Sequence, residues 1–244
     1  ITSHGRSLNG DYWPSRYRFF ATTIAPDGSA TVDGVYANLI DHLIQYDRIW
    51  NLGLEAAIGT VGDHIDPATI PALAPKVSGL NIEGLCTTAD GTKMFIGFRN
   101  PIPEINGKKM GLIIPLANPE AVVLGGADPI LEAPLLIDLN DMGIRSIEYS
   151  PTIGEYLIIA GSFLGGGSAP VQVLYNYDFT TEDKDKLATF SDITPEAVFQ
   201  FPGSGDINVL SDDGTRLIDT PEGPKTNKLL PRSQRTYRTR TIKP

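Results

Sequence analysis

The chain has 244 residues, 41% hydrophobic and 20% charged, an ordinary globular balance that excludes general disorder. A net charge of −9 argues against nucleic acid as the main partner, and no apolar stretch reaches the ~18 residues of a membrane span. A single cysteine, Cys86, excludes an internal disulfide and a cysteine-based zinc cluster.

Taken in order, Ile1–Gly5 and Arg16–Ile24 read as two strands, half of a repeated unit. Residues 33–75 break the β pattern. Leu39, Ile40, Leu43 and Ile44 have helical spacing with Asp33 placed as an N-cap. A second apolar stretch, Leu52 to Ile58, stops at Gly59, and a loop follows around Pro67, Pro71 and Pro75. This region reads as a short helical insertion.

Beyond it three segments repeat. Asn81–Leu85 leads through a turn at Asp90-Gly91 to Lys93–Phe98, and Ile144–Tyr149 leads through Gly154 to Tyr156–Ala160. Pro195–Phe199 leads through residues 202–205 to Ile207–Ser211. Glu83, Glu148 and Glu196 each stand about 14 positions before the small residue that ends the next strand. The first two copies continue into third strands at Met110–Leu116 and Val171–Tyr177, with fourth strands expected at Leu135–Leu139 and Thr236–Ile242.

A period of roughly 50–65 residues with about four strands in each favours a β-propeller blade over a sandwich. The expected fold is therefore an all-β propeller, a single domain over 1–244 with the helical insertion at 33–75. A complete ring would have about six or seven blades, and this chain supplies about three and a half. The chain begins at Ile1 with no initiator methionine, so it reads as a C-terminal part. The remaining blades then come from a missing N-terminal segment or a second chain. Lys225–Pro244 carries seven Lys or Arg and no acid; it reads as an arm for an anionic partner or as a closing strand on an acidic body.

Four motifs in order carry a resemblance: Thr2-Ser3-His4-Gly5-Arg6, Asn81-Ile82-Glu83-Gly84-Leu85, Gly97-Phe98-Arg99-Asn100-Pro101 and Gly143–Tyr149. Together they resemble a bacterial propeller family known only as a domain of unknown function, itself similar to the phytase-like esterase propellers. The resemblance implies a bacterial protein, often exported, and so a periplasmic or extracellular place. The third repeat departs from it, with Pro195-Glu196-Ala197 in place of Ile-Glu-Gly.

Glu83, Glu148 and Glu196 occupy one place in three innermost strands. Pointing inward, they make a carboxylate ring suited to Ca²⁺, which takes six to eight oxygen ligands. Pointing elsewhere, they are structural acceptors between blades. Arg6, Arg99 and Arg145 lie beside the same motifs. With His4 they can hold a small anionic ligand such as a phosphoester, or they pair with the glutamates. No catalytic residue is assigned. His4, His42 and His64 lack zinc spacing, and residues 165–168 read as a hairpin loop rather than a phosphate loop. Cys86 reads as a small buried hydrophobe.

Two functions follow. One is a propeller that binds a cation or small anion at its channel, as a metal-dependent phosphoesterase would. The other is a non-catalytic protein-interaction propeller.

Overall fold

A computed structural model describes residues 1–2, 4–59, 70–162 and 171–244. The fold is mostly β and built of antiparallel sheets, none of which closes into a barrel among the described residues. It divides into two compact units. One is built on Ile1–Ile144 together with Ser162, the other on Arg145–Gly161 and the residues from 171 onward.

The first unit opens with β1 (Phe19–Ile24) and β2 (Ala30–Tyr36), an antiparallel pair. Phe19 lies opposite Tyr36 and both are buried, while most of the hairpin is exposed. Two strands alone are marginal in water, so this anchored end fixes the hairpin. Ile1–Gly5, expected as a strand, forms none among its described residues. Its main chain is tied instead by single bonds, Thr2 N–H to the Arg18 carbonyl and Trp13 N–H to the Gly5 carbonyl. Asp33, expected as a helix cap, lies inside β2, where its carboxylate accepts from Thr23 Oγ1 at 2.7 Å.

α1 (Leu39–Trp50) buries Leu39, Ile40 and Leu43 and half-buries Ile44, the four of helical spacing, and buries Tyr46 as well. It ends at Asn51, whose φ of 52° is left-handed. α2 (Leu54–Ile58) follows at once. Asp47 joins the two, since Oδ1 accepts Leu52 N–H at 2.6 Å and Oδ2 accepts Glu55 N–H at 2.9 Å. A carboxylate thus satisfies amides that a helix start leaves orphaned. Asp47→Ala is expected to lose about 1–2 kcal/mol; a thermal melt that does not move would contradict this. Pro67 and His64 lie outside the described residues.

β3 (Asn81–Thr87) and β4 (Met94–Asn100) follow, then the small hairpin of β5 (Glu104–Ile105) and β6 (Lys108–Lys109). β7 (Gly111–Leu116), α3 (Pro119–Val123) and β8 (Leu135–Ile137) complete the unit. The main sheet has the order β3-β4-β7-β8. β7 is buried at every position and β4 at all but its first. A sheet packed on one side would show alternating exposure; this one is covered on both faces. Phe98, Leu112 and Ile114 share a core with Leu43, Leu54 and Ile58 of the helices. Cys86 is buried within β3, as expected.

In the second unit β9 (Gly143–Ser150), β10 (Glu155–Gly161), β11 (Gln172–Tyr177) and β12 (Lys184–Phe190) make another four-stranded antiparallel meander. β13 (Pro195–Gln200) and β14 (Ile207–Ser211) are joined by β17 (Thr239–Ile242), after a small hairpin of β15 (Leu217–Ile218) and β16 (Lys225–Thr226). The C-terminal segment is thus the third strand of a three-stranded sheet, not the fourth strand expected. Glycines with positive φ stand at the expected turns, 71° at Gly91, 84° at Gly154 and 75° at Gly203. Residues 165–168 lie outside the described residues.

β9 and β13 are linked by side chains. Ser146 Oγ accepts Val198 N–H at 3.3 Å, Ser150 Oγ donates to Gln200 Oε1, and Thr152 Oγ1 donates to the Ser204 carbonyl at 3.3 Å. The sequence separations are 52, 50 and 52, nearly constant. The first strands of these two sheets therefore run the same way past each other.

Candidate functional site

In the first unit, Glu83 and Arg99 meet through irregularities of the β3–β4 pairing. Asn81 pairs with Asn100, Ile82 with Phe98 and Gly84 with Gly97. Arg99 on one strand and Glu83 on the other are the residues left without a register partner. Such bulges turn a side chain out of the regular alternation. Arg99 Nη1 donates to Glu83 Oε1 at 2.9 Å, and Arg99 Nε donates to the Ser162 carbonyl at 3.2 Å. Asn81 Nδ2 donates to the same Glu83 oxygen at 3.1 Å. The side chains are only 5% and 16% exposed for Arg99 and Glu83, so the pair is screened little by water.

The second unit repeats the device. In β13–β14, Pro195 pairs with Ser211 and Ala197 with Leu210, leaving Glu196 as the unregistered residue. Its carboxylate takes Nη2 of Arg145, an arginine that is itself buried. Gly161 sits under this arginine, where a Cβ would lie 3.1 Å from Arg145 Cγ and 3.2 Å from Gln172 Cγ. The third glutamate is different. Glu148 on β9 is half-buried and has no ion pair among the described residues. Burial pushes its carboxyl above the ordinary value.

Arg6 is buried and holds main-chain carbonyls, with Nε on Ile58 at 3.0 Å and Nη1 on Gly10 at 2.9 Å. Its guanidinium also lies over the Tyr12 ring, 5.4 Å from the centroid. His4 Nδ1 donates to the Arg6 carbonyl at 2.9 Å. The space beside His4, Tyr17 and Ile82 has a volume near 10 Å³, about what one water needs. Ser3 lies outside the described residues.

Among the described residues the structure thus brings Glu83 to Arg99 and Glu196 to Arg145, while Arg6 holds the main-chain carbonyls of Ile58 and Gly10 and His4 bonds the Arg6 carbonyl. Among the described residues no three His, Cys, Asp or Glu side chains group as a metal centre requires. An open groove along Gly91, Thr92 and α3 has none of the six repeat glutamates and arginines in its lining.

Sequence reasoning missed Asn81, 2% exposed and bonded to Glu83, and Asp213, discussed below. The glycines next to the repeats, Gly84 and Gly97, carried a usable signal, because glycine inside a strand often marks a bulge. Compared with models of known protein families the sequence matches none, and a search of curated proteins finds no match either.

Proposed function

We propose that the chain is part of a β-propeller acting as a non-catalytic interaction module. The propeller reading draws support from two four-stranded meanders, from central strands buried on both faces, and from first strands running in the same direction. The observation that carries the functional reading is the pairing of Glu83 with Arg99 and of Glu196 with Arg145. A calcium-dependent phosphoesterase needs those carboxylates for the cation and those guanidinium groups for the anion. Here each side neutralises the other.

The calcium and phosphoester reading keeps one supporting observation. Glu148 holds the repeat position without an arginine. Elemental analysis of the purified chain, with melts in EDTA and in added Ca²⁺, separates the two. The interaction reading expects no stoichiometric metal and no shift of the melt. Bound calcium, a melt that falls on chelation, and hydrolysis of phosphoesters would overturn it.

A further inference from the structure

The sheet β13-β14-β17 has three strands where the other two main sheets have four. Among the described residues its outer member, β17, pairs on one side alone, and the register says what the other edge offers. Ser211 N–H donates to the Arg238 carbonyl at 3.0 Å, and Val209 and Ile207 pair with Arg240 and Ile242. Antiparallel alternation then turns the main-chain groups of Arg238, Arg240 and Ile242 toward β14, and those of Thr239 and Thr241 away from it. Thr239 and Thr241 are exposed, and neither makes a main-chain bond to a further segment among the described residues.

Charge narrows what can occupy the edge. Arg238 and Arg240 are bound to Asp213 and Asp192. Lys228, Arg232, Arg235 and Lys243 are exposed and have no ion pair among the described residues. Tyr237, 70% exposed, precedes the strand. Two such basic edges repel, which disfavours a second copy of this chain. An acidic strand meets complementary charge and two free donors and acceptors.

We propose that the outer edge of β17 is a docking site for an extended acidic segment of a partner protein, which adds a fourth strand to this sheet. Main-chain bonds through Thr239 and Thr241 give the register, and the exposed lysines and arginines that the same C-terminal segment carries on either side of β17, Lys228, Arg232, Arg235 and Lys243, select acidic side chains. The proposal rests on the interaction-module reading and supplies the chemistry of the partner.

The test titrates the full chain against a fluorescein-labelled peptide of alternating glutamate and valine, and against its lysine–valine counterpart, by anisotropy. The acidic peptide is expected to bind at least about ten-fold tighter, and more weakly as salt rises. Thr241→Pro removes an outward N–H at an edge position that tolerates proline; it is expected to weaken binding about ten-fold with an unchanged melt. Thr241→Ala, which keeps the amide, should bind as the parent does. If the proline variant does not fold, the exposed charge reversals Lys243→Glu and Arg232→Glu decide, with about ten-fold weaker binding expected. Equal binding of the two peptides overturns the proposal, as does undiminished binding by the folded proline variant or by the charge reversals. Failure here leaves the chelation result untouched, so the site and the broader reading fall separately.

Discussion

Arg99→Leu is expected to destabilise the first unit by about 3 kcal/mol, because it removes the cation paired with a buried carboxylate. Glu83 is 16% exposed, and the substitution takes the Arg99 guanidinium from its carboxylate while the Asn81 amide stays. The cost belongs to leaving a buried charge without its counter-charge rather than to the attraction that was lost. Replacing both members, Glu83→Gln with Arg99→Met, is therefore expected to cost only about 1 kcal/mol, since hydrophobic or neutral substitutes avoid desolvating an ion. Urea titration of the parent, the single and the double variant measures the difference. A single variant as stable as the parent, or a double variant worse than the single, would remove the pair from its structural role.

Asp213→Ala is expected to cost the second unit about 3 kcal/mol at neutral pH. The Asp213 side chain is 1% exposed. Its oxygens accept Arg238 N–H at 2.9 Å, Arg238 Nη2 at 2.7 Å and Ser211 Oγ–H at 2.8 Å. Hydrogen bonding from Arg238, ahead of burial, holds its carboxyl below the ordinary value. The pH dependence has a definite sign. A carboxyl whose folded pKa is depressed contributes fully above its unfolded value, about 3.9, and loses that contribution as pH falls through the folded value. The gap between parent and Asp213→Asn should therefore be widest at pH 6–7 and shrink below about pH 4. A gap that stays constant into acid would mean that the carboxylate charge is not what Asp213 provides.

The main strands were legible for a physical reason. β4, β7, β10 and β11 are largely hydrophobic runs, and runs buried on both faces need no alternation to be seen, while β3 and β9 show through their repeated Ile-Glu segments. β12 was not, because Asp185, Lys186 and Thr189 are exposed and only Phe190 is fully buried. β2 was hidden by Asp33-Gly34, a pair that reads as a cap or turn but here bulges through a hairpin. The residues of the candidate site could be named from their repeat positions. Their pairing could not, since Glu83 and Arg99 lie 16 residues apart and Arg145 and Glu196 lie 51 apart. Only the bulges decide which glutamate reaches which arginine.

The long return of β17 to β14 sets an order on how that sheet assembles. Short turns join neighbouring strands elsewhere, as between β9 and β10 across 151–154 and between β13 and β14 across 201–206. β17 must come back across 212–238, which adds on the order of 1–2 kcal/mol of loop-closure entropy over a short turn. Asp213 and Arg238 stand at the two ends of that connection, and Asn227 within it bonds the Asp213 carbonyl and both main-chain groups of Thr236. These contacts work as a clasp. Once made, they divide one long closure into two shorter ones and leave β17 only a few residues to zip. The polar cluster at Asp213 thus governs the sequence of assembly as well as the strength of the finished sheet.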